Sequence, residues 1–390
     1  MSIKETYRFA KEYQDSDTDK LLLKSKNYPE VDMRRAVMQI LSRRAVKEKL
    51  PTWYCNNEIR YPSKLSTEQC SSEITAKYKA SLITGTTLSD LTGGLGVDCW
   101  AFSMKAKQVK YYERYEEYCS AAEHNFKALG CMNITIHNCD FRDIIDSINA
   151  DTIYIDPARR GENSQRLFSL QEYEPNVVEL KNTLLDASSL LIIKVSPMAD
   201  ITAICQEIPE IFEIDIVSVK NECKELLLLA HKGIADDLKV VTLNFDGNRE
   251  QRVEFMRSTE GELTNDYAKE IEEYLYEPNS SVMKSGYFKS ISSIFGVKPI
   301  GRNSHLFTSG NRVENFPGRV FRIKRVIDFS SKWLKGAKKE FSKANIAVRN
   351  FPLSVAEIRK ATKIGDGGDV YLFATTINPG KKVIIECCKE

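Results

Sequence analysis

Nine residues, Asp90-Leu91-Thr92-Gly93-Gly94-Leu95-Gly96-Val97-Asp98, stand between a short apolar stretch and a helical one. Glycines there let the chain turn sharply and bring bare backbone against a ligand. Such a turn, at the carboxyl end of a first strand, is where doubly wound sheets bind ligands. Alone the signal is weak, because a plain strand-to-helix turn also uses glycine. Three more signals follow in order. Lys110-Tyr111-Tyr112 ends a second apolar stretch, and Glu113 comes next, 23 residues beyond Asp90. An acid there can hold both hydroxyls of a ribose. Asn138-Cys139-Asp140-Phe141 follows a third stretch, where an Asp can hold an adenine amino group. Thr152 to Ile155 is a fourth, and Asp156-Pro157-Ala158-Arg159-Arg160 follows it. Chance accounts for any one of these. Four in order, at the ends of four successive strands, are expected to converge on one crevice.

The elements that must position them can be read from hydropathy. Residues 1 to 80 read as helical: Met33, Val37, Ile40 and Leu41 recur at helical spacing, and Pro51 is expected to end that helix. Ser66 or Thr67 is expected to cap a helix running through Ile74 to Leu82. From Leu88 to Ala230 short apolar runs alternate with helical ones. Strands are predicted at Thr86–Leu91, Gln108–Tyr112, Ile134–His137, Thr152–Ile155 and Leu190–Val195. That alternation indicates a parallel sheet covered on both faces. Phe212–Val217 and Glu225–Ala230 follow closely and read as an antiparallel edge. Val240–Phe245 is expected to be a strand and Asp266–Leu275 a short helix. An α+β pattern then runs to the end. It includes a helix over Ser330–Ala344 and a closing hairpin turning at Asn378-Pro379-Gly380.

The 390 residues are 42% hydrophobic and 28% charged, enough to bury large cores. No apolar run approaches a membrane span, and Met1 to Asp15 lacks the apolar centre of a signal peptide, so a cytoplasmic location is expected. The ten cysteines form no C-x-x-C pair; no metal site is expected, and scattered reduced thiols fit that location. Charge is uneven. Residues 312–390 carry 17 basic and 8 acidic residues, a net of +9, which leaves −7 for the rest of a chain whose total is +2. A basic tail on an acidic body suits a polyanion partner, though a solvated basic face would look the same. On the Ser330–Ala344 helix, Trp333, Leu334, Ala337 and Phe341 fall at core spacing. Lys332, Lys335, Lys339 and Lys343 form a separate stripe, and Lys335, Lys339 and Lys343 are the candidate phosphate contacts.

Asp90, Gly93, Gly96, Glu113, Asp140 and Asp156-Pro157 resemble the set found in class I S-adenosylmethionine-dependent methyltransferases, over about residues 70–230. The strings Glu68-Gln69-Cys70-Ser71-Ser72-Glu73-Ile74-Thr75-Ala76, Asp90 to Cys99, and Asp156 to Arg160 resemble a narrower bacterial family. Its members end in a THUMP-like domain preceded by a small ferredoxin-like module. Phe316-Pro317-Gly318-Arg319-Val320-Phe321 onward is similar to the former, and Tyr276–Thr308 to the latter. The implied fold is α/β: a Rossmann-like methyltransferase core with a mostly parallel doubly wound sheet, an N-terminal helical region and C-terminal α+β modules. Domains are expected at 1–80, 81–235, 236–312 and 313–390. The implied cofactor is S-adenosyl-L-methionine, and RNA is the implied acceptor, because THUMP domains generally bind it. By the same resemblance Gly93, Gly94 and Gly96 pack against the methionine part of the cofactor. Asp90 orients the loop or the amino group, Glu113 holds the ribose, Asp140 the adenine, and Phe141 stacks. Asp156 and Pro157 face the acceptor, with Arg159 beside them.

One departure matters. Enzymes that methylate exocyclic base amines usually follow Asn or Asp with Pro-Pro and an aromatic; here Ala158 and Arg159 stand in the last two places. Arg159 or Arg160 stacks on a base or grips a phosphate, or the two form salt bridges at the sheet edge. Lys194-Val195-Ser196-Pro197-Met198 contains no cysteine, which argues against the nucleophile needed for carbon-5 of a pyrimidine. Ser196-Pro197 is expected to shape the acceptor pocket. The preferred reading is methylation of an RNA on a base nitrogen. The alternatives are methylation of a small molecule or protein, or an RNA-binding protein with an inactive core. A dinucleotide oxidoreductase fits less well, since Asp98 stands where the last glycine of G-x-G-x-x-G belongs.

Overall fold

The computed structural model describes residues 3–159 and 170–390. The chain forms two compact units: Met1–Ile211 with Leu228–Ile234, and Phe212–Leu227 with Ala235–Glu390.

The first unit opens with α1 (Ile3–Glu12), α2 (Thr18–Leu23), α3 (Met33–Ala45), α4 (Pro51–Cys55), α5 (Lys64–Gln69) and α6 (Glu73–Leu82). Met33, Val37 and Ile40 turn into one core with Phe9 and Leu21, as their spacing predicts. Two boundaries differ from expectation. Helix α3 ends at Ala45, and Pro51 opens α4 instead of closing α3. Proline suits a first helical position, where its fixed φ fits and its absent N–H has no partner to lose. The caps are Ser63 and Ser72, not Ser66 or Thr67. Ser63 Oγ accepts the Ser66 N–H at 3.0 Å, and Ser72 Oγ accepts the Thr75 N–H at 3.3 Å. Each satisfies an N–H that the first helical turn leaves open.

Strand and helix then alternate: β1 (Thr87–Asp90), α7 (Val97–Ser103), β2 (Gln108–Glu113), α8 (Glu116–Ala128), β3 (Ile134–Asn138), β4 (Ala150–Ile155), α9 (Val177–Asp186), β5 (Ser188–Val195) and α10 (Ile201–Glu207). Strand β1 pairs in parallel with β2 and β4, β2 with β3, and β4 with β5. Ile153 and Ile155 of β4 and Leu191, Ile192 and Ile193 of β5 are fully buried. Burial on both faces is why those stretches read as unbroken apolar runs.

The next strands are β6 (Ile211–Val219), β7 (Glu222–Ala230), β8 (Lys239–Asp246) and β9 (Arg249–Met256). Within the first unit the strand order is β3-β2-β1-β4-β5, and the later strands run β7-β6-β8-β9. The pair β6 and β7 is therefore not the edge that their closeness in sequence suggests. Strand β8 lies parallel to β6, and β9 pairs antiparallel to β8. In β9 only Val253 and Phe255 are buried, so its apolar signal is thin.

The rest of the second unit comprises α11 (Arg257–Glu262), β10 (Tyr274–Pro278), α12 (Ser280–Ser285), α13 (Phe288–Phe295), β11 (Phe307–Ser309), β12 (Gly318–Asp328), α14 (Ser331–Glu340), β13 (Asn345–Arg349), α15 (Val355–Thr362), β14 (Val370–Ile377) and β15 (Lys381–Lys389). They build a sheet ordered β11-β10-β12-β15-β14-β13, with Lys298–Pro299 added beyond β11. The helix expected over Asp266–Leu275 does not form. Tyr274 and Leu275 instead sit in β10, between β11 and β12, where burial of Leu275 overrides local helix preference. The closing hairpin is as predicted, with Thr376 opposite Lys382. Helix α14 is shorter than predicted. The chain becomes extended at Phe341, whose ring enters the core with Trp333 and Ala337. Lys343 thus leaves the helix and forms a β-bridge with Gly365.

Candidate active site

Strand β1 ends on Asp90, and the chain turns over the sheet into α7. The Gly93 N–H donates to Tyr112 O at 2.9 Å, and the Gly96 N–H to Gly93 O at 2.9 Å. At two positions the turn leaves no space for a side chain. A Cβ on Gly93 would lie 2.1 Å from the Tyr111 ring, and one on Gly96, at φ +88°, would lie 2.7 Å from Phe126. Gly94 has φ +54° and its nearest neighbour there is 3.8 Å away. Gly93 and Gly96 therefore answer to the protein's own aromatics, while Gly94 offers open backbone. Tyr111 also donates its hydroxyl to Gly94 O at 2.6 Å.

Two contacts tie the loops after successive strands. Glu113, at the end of β2, accepts the Gly94 N–H at 3.1 Å and the Tyr115 N–H at 2.9 Å. The Asp156 N–H, after β4, donates to Thr92 Oγ1 at 2.7 Å. The Asp156 carboxylate is one-third exposed and ion-paired with Lys194 of β5. Pro157 is buried. Between these loops lies a cavity of about 150 Å³. Asp90, Thr92, Gly93, Gly94, Gly96 and Asp156 line it, joined by Ser66, Gln69, Cys70 and Ser71 from α5 and its end and by Tyr118 from α8.

A buried ion pair underlies this cavity. Lys79 of α6 has no exposed surface, and its ammonium lies 3.1 Å from Asp98 Oδ1. Lys79 also donates to Ser71 Oγ at 2.8 Å, Ser71 donates to Asp98 Oδ2 at 2.8 Å, and Tyr154 donates to the same oxygen at 2.9 Å. Burial works to raise the Asp98 carboxyl, but Lys79, Lys194 and the two hydroxyls outweigh it and hold it below the usual range. Asp90 goes the other way. Burial, then the nearby charge of Asp98, pushes its carboxyl well above that range; the Thr92 N–H, at 3.1 Å, works against them. The two neighbouring acids are thus shifted in opposite directions.

The remaining candidates fall differently. Asp140 caps the following turn and is engaged by Arg142, whose Nε donates to Oδ1 at 2.9 Å. That hydrogen bond holds its carboxyl below the usual value. Phe141 is 4% exposed. The expectation that it stacks on a ligand runs against this burial, which spends the ring on the core. Neither residue, nor Glu113, lines the cavity. Arg159 pairs through its backbone with Tyr173; Arg160 lies outside the described residues. Ser196 Oγ accepts the Met198 N–H at 3.3 Å and is not a cavity residue. The sequence reading overlooked Lys79, Lys194, Ser71 and Cys70. Cys70 brings a thiol to the cavity, but burial raises its pKa, which keeps it protonated and a poor nucleophile. Lys335, Lys339 and Lys343 are all exposed. Among the described residues no cluster of His, Cys, Asp or Glu is placed to hold a metal, and no helix is long and apolar enough to cross a membrane.

The THUMP domain-like family matches residues 318–389, and a ferredoxin-like domain family matches residues 274–317. No curated protein matches the sequence. Among solved structures, a "putative methyltransferase" from Porphyromonas gingivalis W83 is 34% identical, with a TM-score of 0.91; the match covers 100% of this chain and 99% of that one. SMU.776, described likewise and complexed with SAH, is 14% identical over 41% of this chain and 50% of its own, at a TM-score of 0.33. An rRNA methylase from Streptococcus thermophilus is 14% identical over 42% of this chain and 98% of its own, at 0.30. The last two overlaps are too slight to bear on the argument. End-to-end likeness to the first, with both C-terminal families in place, makes this chain a member of the bacterial class I methyltransferase family that carries a ferredoxin-like module and a C-terminal THUMP-like domain.

Proposed function

We propose that the protein transfers a methyl group from S-adenosylmethionine to a base nitrogen of an RNA. The observation that carries this reading is the cavity where Gly94 and Asp156 meet at the ends of β1 and β4. The cofactor's fit can be tested on the residues present. Open backbone at Gly94 suits an aminoacyl end, and its ammonium beside Asp90 would offset the burial that raises that carboxyl. About 150 Å³ is below the roughly 300 Å³ at which ligand pockets usually begin, so the cavity suits that end alone. The nucleoside end would extend toward Glu113 and Asp140. Once bound, the cofactor supplies an electrophilic methyl on a sulfonium.

The residues' work is then alignment, which provides much of the rate in an in-line displacement. On transfer the acceptor nitrogen would gain the methyl, the sulfonium would leave as S-adenosylhomocysteine, and one amine proton would pass to solvent. In this reading Asp156 accepts a hydrogen bond from that N–H, and its pairing with Lys194 fixes the direction of its carboxylate. The THUMP domain-like match and the +9 charge of residues 312–390 support RNA as the acceptor. Calorimetry with S-adenosylhomocysteine tests the cofactor. The modified-nucleoside profile of RNA from cells lacking the gene tests the reaction: one methylated nucleoside should disappear.

A second reading, RNA binding without catalysis, is favoured by one observation. Asp156 is already paired with Lys194, and Ala158 stands where a second proline would offer its carbonyl. An unchanged nucleoside profile together with RNA binding would select it.

A further inference from the structure

We infer that the N-terminal helices carry a second RNA site, which grips a single-stranded nucleotide through Arg60 and Tyr7. This rests on the RNA reading above. A cavity of about 600 Å³ opens between α1, α3 and residues 57–61. Lys4, Arg8, Lys11, Arg43 and Arg60 line it against one carboxylate, Glu58. Lys11 neutralises Glu58 at 2.9 Å, and Arg8 pairs with Glu5. Arg43 binds neutral acceptors, the carbonyls of Tyr54 and Asn56 and the Asn57 side chain, so its charge is not cancelled.

Arg60 is the distinctive residue. Its guanidinium lies over the Tyr7 ring, 4.7 Å from the centroid. Among the described residues its side chain has no hydrogen bond or ion pair, while its backbone N–H donates to Asn125 Oδ1 at 2.8 Å. A half-buried, planar fork of donors without an acceptor matches a phosphate. The guanidinium over Tyr7, a ring that Arg35 also approaches at 5.9 Å, also offers a plane to a base. Phosphate and unstacked base occur together in single-stranded nucleic acid. The volume lies within the roughly 300–1,000 Å³ of small-ligand pockets, enough for a nucleotide. An acidic peptide would satisfy the cations and leave the stacked plane unused.

The site is joined to the catalytic candidate by a short stretch of chain. Tyr61 lines this cavity, and α5, which begins at Lys64, contributes Ser66 and Gln69 to the glycine-loop cavity. Ser63 Oγ lies 2.9 Å from the hydroxyl of Tyr118, which also lines that second cavity.

The test uses the full chain, a fluorescein-labelled short single-stranded RNA of mixed sequence, and fluorescence anisotropy across salt concentrations. Arg60→Gln should weaken binding about tenfold or more. Arg60→Gln and Lys4→Gln, the latter exposed at the rim, should each reduce the log–log salt slope by about 0.7. Arg60→Lys should recover only part of the loss, because a point charge reproduces neither fork nor stack. Wild-type binding with unaltered affinity and slope in these variants would overturn the inference and leave the RNA reading standing. Full recovery by Arg60→Lys would overturn the stacked-nucleotide assignment. No binding by wild type would remove the RNA reading, and this site with it.

Discussion

The carboxylate of Glu113 accepts the backbone N–H of Gly94 at 3.1 Å, so the acid after the second strand holds the glycine loop after the first. Its second oxygen holds Tyr115 N–H at 2.9 Å. Glu113 is therefore a loop anchor as well as the candidate ribose ligand. Glu113→Ala should weaken S-adenosylhomocysteine binding by roughly 2–4 kcal/mol in calorimetry, and should also lower folding stability by about 1–3 kcal/mol. A loss of stability with full cofactor affinity would leave Glu113 only its anchoring part. Binding of NADH in place of S-adenosylhomocysteine would overturn the cofactor assignment.

Asp90 and Asp98 should respond to pH with opposite signs. Asp98 is held low, so its contribution is present above the unfolded carboxylate pKa of about 4 and lost as pH falls through its folded value. Asp98→Asn should cost about 3–5 kcal/mol near neutrality, because it strands buried Lys79, and the gap from wild type should narrow in acid. Asp90 is raised, so its contribution is full below about 4 and lost as pH rises through its folded value. Asp90→Asn should therefore gain on wild type in denaturant melts as pH climbs. A flat difference for Asp90→Asn would mean that the acid is ionised in the fold.

The strands and glycine loop were legible because burial on both faces writes continuous apolar runs, as in Leu190–Val195. Lys79 was not, because periodicity weighs apolar residues, and a lysine on a helix normally reads as solvated. Asp98 read only as a missing glycine, although it is the counter-ion of that lysine. Lys194 stands in a stretch whose one sequence signal is the absence of a cysteine. Cys70 stands in the Glu68–Ala76 string without a role there, because it is 86 residues from Asp156 in sequence and only the fold brings both to one cavity. Strand β9 was lost because one of its faces is polar. Lys343 was placed in α14 by spacing alone; burial of Phe341 decided otherwise.

Asp156 should matter to transfer more than to cofactor affinity. Asp156→Ala should abolish methyl transfer while S-adenosylhomocysteine affinity stays within about 1 kcal/mol of wild type. Lys194→Met should lower kcat less, because it removes the group that aims the carboxylate and leaves the carboxylate itself. Full turnover in Asp156→Ala would take this residue out of the reaction.

The basic stripe on α14 gives the last prediction. Lys335 and Lys339 are four residues apart, exposed, and therefore on one helical face, while Trp333 and Ala337 face the core. Replacing both by Gln should reduce the RNA salt slope by about 1.4, from about 0.7 for each phosphate contact on a single strand. Affinity should fall about equally for all RNAs, because phosphates carry no sequence. S-adenosylhomocysteine binding should not change, since no residue of the glycine-loop cavity is touched. Lys343 lies past the helix end, and adding Lys343→Gln asks whether the contact surface extends beyond the helix. A further drop of about 0.7 would include it. An unaltered slope in the double variant would return this face to solvent and leave any RNA contact to other parts of the chain.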